Sequence, residues 1–396
     1  MFENMNIKYG SPLHNKLVRA ILQRKQISDR EVQKNVPRWD EAEKLATAYI
    51  PESTADAMRR TSRRNKGKQT YRTLEIPYSY ALMLTMHTYM TSVFLSRNPI
   101  FQFMSRHGES EDAIAGLEAL IDYQISVGGN LVPLYLWLLD YSKYGVGIMG
   151  SYWEEETVTV SQIVNRPKVY NGYEIPGQTK RVRETHSIPG YAGSKFYNVR
   201  PHDFICDPRV PMYRLQEGEF CGRYVELSWN DILRGKADGK YFNVDELAKR
   251  RHSRATQRNQ SSVAIELPSE ITDNFVDSLD HGFVGITELY IELVPKEWGI
   301  GEGTSPEKWV FTLADKAVII GAQPYGMYHG KYPFFVQEYE FEAYGMRKRG
   351  LLDVTKDLNY TLSWLVNSHF YNVRQSLGNQ FILDPSRVNI PDMEKE

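Results

Sequence analysis

Cysteine is nearly absent. The 396 residues contain only Cys206 and Cys221, which excludes a disulfide framework and leaves room for one bridge at most. So few thiols fit a reducing compartment. Long apolar runs are missing too. The most apolar stretch, Tyr80 to Leu95, is broken by Thr85, His87, Thr88, Thr91 and Ser92. It falls short of the roughly 20 apolar residues a membrane-spanning helix needs, so a buried helix is expected there. Met1 to Lys16 is polar and has no apolar segment of the signal-peptide kind. Net charge is also lacking: 48 Lys and Arg stand against 49 Asp and Glu, which argues against global binding to a polyanion.

Catalytic motifs are equally scarce. Gly67-Lys68-Gln69-Thr70 lacks the upstream glycine and the GK[ST] triplet of a phosphate-binding loop. Gly299, Gly301 and Gly303 form a GxGxG, but Pro306 follows and no helix opens there, so a hairpin tip is the simpler reading. His202, Cys206 and Cys221 offer three metal ligands without a fourth at matching spacing. There is no GxSxG and no HExxH. Glu338, Glu340 and Glu342 alternate, which would place them on one face of a strand. That face reads as solvated. The alternative is an acidic site in a metal-dependent nucleic-acid hydrolase that uses Glu338, Glu340 and Asp357.

What is present points to contact surface. Hydrophobic residues make up 41% of the chain, enough for packed cores. Tyrosine stands out at 26 residues, and its apolar ring with a polar tip suits partly wet interfaces. Charge is blocked rather than mixed. Met1 to Glu75 has a net of +7, with a dense run from Arg59 to Arg72; Arg234 to Arg258 has +5; Asn259 to Lys308 has −8. Such blocks can meet phosphate or pair between copies of the chain.

Periodicity predicts helices over Lys16–Gln26 and Asp40–Tyr49, with Pro37 and Pro51 as breaks. Three more follow: Pro77 to Leu95, one around Ile114 to Ile125, and Leu131 to Tyr144. These three are expected to pack as one core. The period then changes to β-structure from Gly145 to Val160. A long hairpin or excursion over Asn165–Ser194 follows, with a return strand at Phe196–Val199. Tyr224 to Leu227 reads as a strand, Ser228 as an N-cap, and Val244 to Arg251 as a short helix. Gly285–Val294, Lys308–Ala314 and Ala317–Ile320 read as an antiparallel meander. The longest helical pattern runs from Leu351 to Gln375, about 37 Å at 1.5 Å per residue. One stripe of it holds Leu351, Leu352, Thr355, Leu358, Leu362, Leu365, Val366, Phe370, Val373 and Leu377. Gly378 would end it, and a strand would begin at Gln380. The absence of a catalytic constellation favours an assembly protein.

Three segments carry a family resemblance: YSKYGVGIMGSYWEEE (Tyr141 to Glu156), FYNVRPHDFICDPRV (Phe196 to Val210), and Lys331 to Pro385, which opens KYPFFVQEYEFEAYGMRKRGLLDV. In order and spacing they resemble the portal proteins, or head-to-tail connectors, of tailed bacteriophages.

The resemblance implies an α+β portal-type fold. Residues 1–76 would be a basic arm with peripheral wing helices, 77–350 the wing, 351–378 the stem helix and 379–396 the start of the clip. Because the family pattern continues through the rest of the clip, a second stem helix and a crown, the 396 residues look like part of a longer protein. The resemblance also implies a ring, usually of twelve copies, at one capsid vertex. Double-stranded genomic DNA would pass through it, driven by a separate packaging ATPase (terminase). Major capsid protein and tail adaptors would be further partners, and no membrane would be involved. The protein would be assembled in the bacterial cytoplasm and reside in the virion. No cofactor, metal or catalytic residue is implied. Lys356, Tyr360, Asn367, Tyr371 and Arg374 are the expected channel or inter-subunit positions. Arg347, Lys348 and Arg349 form a basic turn before the stem, expected to pair between subunits or meet DNA. Another phage head or tail protein without a channel is the remaining alternative.

Overall fold

The structure, a computed structural model, describes residues 4–47, 76–97, 99–106, 108–170, 173–251, 283–341 and 348–377. The basic run Arg59–Arg72 and the strand expected from Gln380 lie outside the described residues.

The N-terminal helices are α1 (Pro12–Val32) and α2 (Val36–Ala46). Ser11 caps α1 by accepting from the His14 N–H, and Pro12 opens its first turn. Pro37 was expected to break a helix. It sits instead in the first turn of α2, where a proline's missing N–H goes unneeded. Leu17 and Ile21 of α1 are fully buried among Leu289, Phe311 and Ile319, which docks α1 on a five-stranded sheet.

That sheet has the order β3-β4-β5-β6-β7, with β3 (Phe204–Cys206), β4 (Phe220–Leu227), β5 (Val284–Leu293), β6 (Glu307–Ala314) and β7 (Val318–Pro324). Every pair is antiparallel, and β5-β6-β7 is the expected meander. The glycines at 299–303 lie in the β5–β6 connection, as a hairpin-tip reading requires. Ser228 caps α6 (Trp229–Ala237), and α7 follows at 244–251.

A second, three-stranded sheet has the order β2-β1-β8. Here β1 (Val146–Tyr170) and β2 (Tyr173–Asn198) form one long hairpin, and β8 (Phe334–Glu338) covers only the first five residues of β1. The expected excursion is therefore a two-stranded ribbon. Trp39, Phe204, Tyr332 and Phe334 fill the core at the junction of the two sheets and α2. Burying each such side chain contributes about 1.5–3 kcal/mol.

The three middle helices are α3 (Tyr78–Leu95), α4 (Glu111–Ser126) and α5 (Leu131–Tyr144). They do not share one core. α3 and α5 pack together and against the last helix, α8 (Leu351–Leu377), while α4 rests on β2. α4 buries Ile125 alone among its side chains, so its apolar period has no matching cover among the described residues. Among the described residues no helix is long and apolar enough to cross a membrane.

Candidate assembly site around the long C-terminal helix

α8 is held at its start by backbone-to-backbone contact. α5 ends at Gly145, whose φ of +80° is left-handed. A Cβ there would lie 2.2 Å from the Arg349 carbonyl oxygen, and one on Gly350 would lie 2.4 Å from the Lys143 carbonyl oxygen. Only glycines let the α5–β1 corner and the start of α8 approach this closely. The Tyr339 N–H donates to the Gly145 carbonyl at 2.9 Å, which ties the end of β8 to the same corner.

Beneath this corner lies a fully buried ion pair. Lys348 Nζ stands 2.8 Å from Glu338 Oε2, and both side chains are 0% exposed. The approach is ionic in distance without hydrogen-bond alignment, so neither group has an aligned partner among the described residues. The alternating glutamates therefore do not form a solvated strand face. β8 stops at Glu338, Glu338 turns inward, Glu340 is exposed beyond the strand, and Glu342 lies outside the described residues.

The stripe that packs α8 on its own chain agrees with expectation at Leu352 and Thr355 and departs from it further along the helix. The buried positions are Leu352, Thr355, Asn359 and Ser363. Leu352 joins Ala42, Leu45 and Met83. Below it the contacts are polar. Asn359 Oδ1 accepts from the Ser79 N–H at 3.2 Å, and Ser363 Oγ accepts from the Ile76 N–H at 3.2 Å. These bonds satisfy N–H groups at the start of α3, where a helix leaves donors without intrahelical partners. Small polar side chains give close approach as well as hydrogen bonds. Hydrophobic periodicity could not single them out. The predicted apolar residues point elsewhere: Leu358 is 69% and Leu365 56% exposed, and Val354 and Trp364 are exposed beside them.

The sequence-predicted positions are distributed as follows. Lys356 Nζ lies 2.9 Å from Glu41 of α2 and 3.2 Å from Asp353. Hydrogen bonding to Glu41 raises its ammonium pKa, so its charge is balanced within the chain. Tyr360 Oη approaches Glu41 at 3.5 Å. Asn367 donates to the Ser363 carbonyl at 2.7 Å. Tyr371 is exposed, Arg349 is exposed, and the Arg374 side chain and Arg347 lie outside the described residues. The basic turn is thus divided, with Lys348 inside and Arg349 outside.

A second charged cluster, missed in the sequence, joins α2 to α5. Tyr144 Oη donates to Glu43 Oε1 at 2.6 Å, and Arg200 reaches the same oxygen at 3.0 Å. Burial pushes the Glu43 carboxyl up, but Tyr144, Arg200 and Lys143 outweigh it and hold the pKa below the usual value. Asp140 behaves oppositely. Burial raises it to about 6, against the pull of Lys143 and Arg200. A carboxyl whose folded pKa exceeds its unfolded value penalises folding above that pKa, and the penalty fades as pH falls from about 6 to 4. Asp140→Asn should therefore stabilise the protein by up to ~3 kcal/mol at pH 7 and by little at pH 4. Thermal melts across that range check it; a variant no more stable at pH 7 than at pH 4 refutes it.

The cysteines sit directly opposite each other on β3 and β4, both buried as thiols. His202 lies instead against Trp39 and Asp40. Among the described residues no group of three or more His, Cys, Asp or Glu could hold a metal.

A family model described as Phage SU10 portal protein matches residues 84–396. The chain belongs to the SU10 phage portal protein family. The match spans the α5–β1 corner, the Asp207-Pro208 turn and the whole of α8, all features from which the portal resemblance was drawn. No curated protein matches the chain. Membership in the SU10 portal family makes this a structural protein of a phage capsid setting, not an enzyme. The hydrolase alternative built on Glu338, Glu340 and Asp357 falls with it, and the Lys348–Glu338 pair supplies the physical reason, since Glu338 is already committed.

Proposed function

We propose that the chain forms a ring-shaped portal through which double-stranded phage DNA is packaged, retained and ejected. The observation that carries this reading is a pair of unlike uncovered apolar faces on one protomer. One is the Val354, Leu358 and Leu365 stripe of α8. The other is the outer side of α3 and α5, where Phe94, Leu131, Val132 and Tyr135 are exposed. α3 lies in a stretch, Ile76 to Ser96, without a single Asp, Glu, Lys or Arg. A helix that carries no charge on any side and leaves large apolar side chains exposed is built to be covered. Two different faces that need cover favour head-to-tail contact between copies, which closes into a ring when the rotation per copy allows.

On this reading residues 77–350 are the wing, 351–378 the stem and 379–396 the start of the clip, with 1–76 as a peripheral arm. Twelve copies is the number the family resemblance suggests. Lys356, Tyr360, Asn367, Tyr371 and Arg374 are the proposed channel or inter-subunit positions, with Arg347 and Arg349 at the turn above. A net charge of −1 suits DNA that slides, since each neutralised phosphate strengthens salt-dependent binding. Capsid protein, tail adaptors and the packaging ATPase are the proposed partners, and the virion vertex the proposed location.

Negative-stain microscopy and native mass spectrometry of the purified chain test this. Rings with a central hole are expected. Leu358→Arg together with Leu365→Arg should raise the concentration needed for assembly about 100-fold while leaving the protomer folded. A wild-type chain that stays monomeric at every concentration refutes the proposal.

A further inference from the structure

Two features find no role in the protomer: α4 and the outer part of the β1–β2 ribbon. On α4, Leu117, Leu120 and Tyr123 are exposed, and a helix of 16 residues is marginal in water without packing. Its charge has one sign. Glu109, Glu111, Asp112, Glu118 and Asp122 lie in a stretch, Gly108 to Leu139, that holds no Lys or Arg. Glu109 and Glu118 accept hydrogen bonds from the preceding loop.

The ribbon has the opposite character. Beyond Glu156 it projects about 45 Å at ~3.3 Å per residue. From Asn165 to Arg183 it carries Arg166, Lys168, Lys180, Arg181 and Arg183 against Glu174 alone. In the register Arg166 stands opposite Lys180, Asn165 opposite Arg181, and Ile163 opposite Arg183. In the described register no acidic residue of this stretch is paired with a basic one, and opposed like charges weaken an antiparallel pair. Ile163 is 69% exposed, and alternation puts Arg181 and Arg183 on its face of the ribbon, where Arg183 donates to Ser161 Oγ at 2.8 Å. A lone two-stranded ribbon has little stability of its own. Pro167, Pro176 and Pro189 interrupt its edges, which disfavours strand addition and leaves the faces for contact.

We propose that the ribbon of one protomer lies along α4 of the next with the face that carries Ile163, Arg181 and Arg183, Ile163 covering Leu117 and Leu120 and the two arginines meeting the α4 carboxylates. The inference rests on the ring reading above and names one of its contacts. Each protomer holds both halves side by side, since Tyr191 at the base of β2 stacks on Tyr123 of α4. A contact of arm on neighbouring helix repeats around a closed ring with none left over. DNA would neutralise the ribbon too, but it would leave the leucines of α4 uncovered and its carboxylates repelled. A second copy answers both needs.

The test is a charge exchange read by native mass spectrometry and sedimentation over a salt series. Arg181→Glu with Arg183→Glu should raise the protomer concentration for half-assembly about tenfold, and Glu111→Lys with Asp122→Lys should do the same. Combining all four should recover most of the loss, which also shows that the protomer still folds. A disulfide between copies should form in a variant carrying Arg183→Cys and Leu120→Cys. Ribbon variants that assemble as the wild type does overturn the inference while the ring stands. So does a loss confined to salt-dependent DNA binding, which would assign the ribbon to nucleic acid. A monomeric wild type removes both readings.

Discussion

Lys348→Met should destabilise the protein by about 3–5 kcal/mol, and adding Glu338→Leu should return most of that loss. The asymmetry follows from burial. Lys348 and Glu338 lie 2.8 Å apart with no solvent access to either side chain. Removing one partner leaves a charge in a dry site with nothing to balance it, whereas an apolar pair of similar volume avoids the desolvation cost on both sides. The absence of an aligned hydrogen bond between them points the same way, because geometry adds little to the Coulomb term. Chemical denaturation of the wild type, both single variants and the double variant measures this. A double variant as unstable as the singles would mean that the site needs the charges themselves. The expected result has a structural consequence. The pair joins the end of β8 to the residue that precedes α8 by three positions, so a single substitution should free the helix before it unfolds the sheets. Hydrogen exchange in α8 should rise first in Lys348→Met.

The parts of this architecture that periodicity encodes were legible from residues alone. The β5-β6-β7 meander follows from three short apolar runs divided by turns, whose strands are largely buried on both faces, and α8 follows from a 3.6-residue period even though much of its apolar stripe is uncovered. The Ser228 cap was legible for the same reason: local chemistry decides it. Three features were not. α4 has the period of a packed helix, yet no cover for it lies among the described residues, and periodicity cannot say whose surface a stripe meets. On α8 the own-chain contact continues through Asn359 and Ser363, which hydropathy ranks as solvent-facing. Their role depends on the open N–H groups of α3, a partner distant in sequence. Lys348 was read with Arg347 and Arg349 as one basic turn. Its inward direction depends on Glu338 arriving from another strand, and no local signal distinguishes it from its neighbours. The family match over residues 84–396 agrees with the resemblance drawn from the corner, the Asp-Pro turn and the long helix. All three are backbone features that the fold fixes tightly.

Gly145→Ala is expected to cost about 2–5 kcal/mol, while Gly299→Ala should cost about 1–2 kcal/mol. The two glycines have nearly the same backbone strain to offer, with φ of +80° and +77°. Left-handed geometry costs an alanine roughly 1–2 kcal/mol at either site. Their surroundings differ. A Cβ on Gly299 would meet only the tip of Leu13, at 3.9 Å. A Cβ on Gly145 would meet the backbone of Arg349 and Gly350 at 2.2–2.6 Å. Backbone atoms cannot rotate away, so the start of α8 must move, and overpacking of this kind adds about 1–3 kcal/mol. The difference between the two variants therefore isolates the steric contribution from the conformational one. Equal losses at both sites would show that the close approach of α5 and α8 matters little. A larger loss at Gly145 also carries a functional expectation under the portal reading. α8 would dock at a changed angle, its Val354, Leu358 and Leu365 stripe would face the next copy out of register, and rings should assemble poorly even where the protomer still melts cooperatively. Lowering the temperature should restore folding of Gly145→Ala without restoring assembly, because the angle is set by the added methyl group and not by the stability of the protomer.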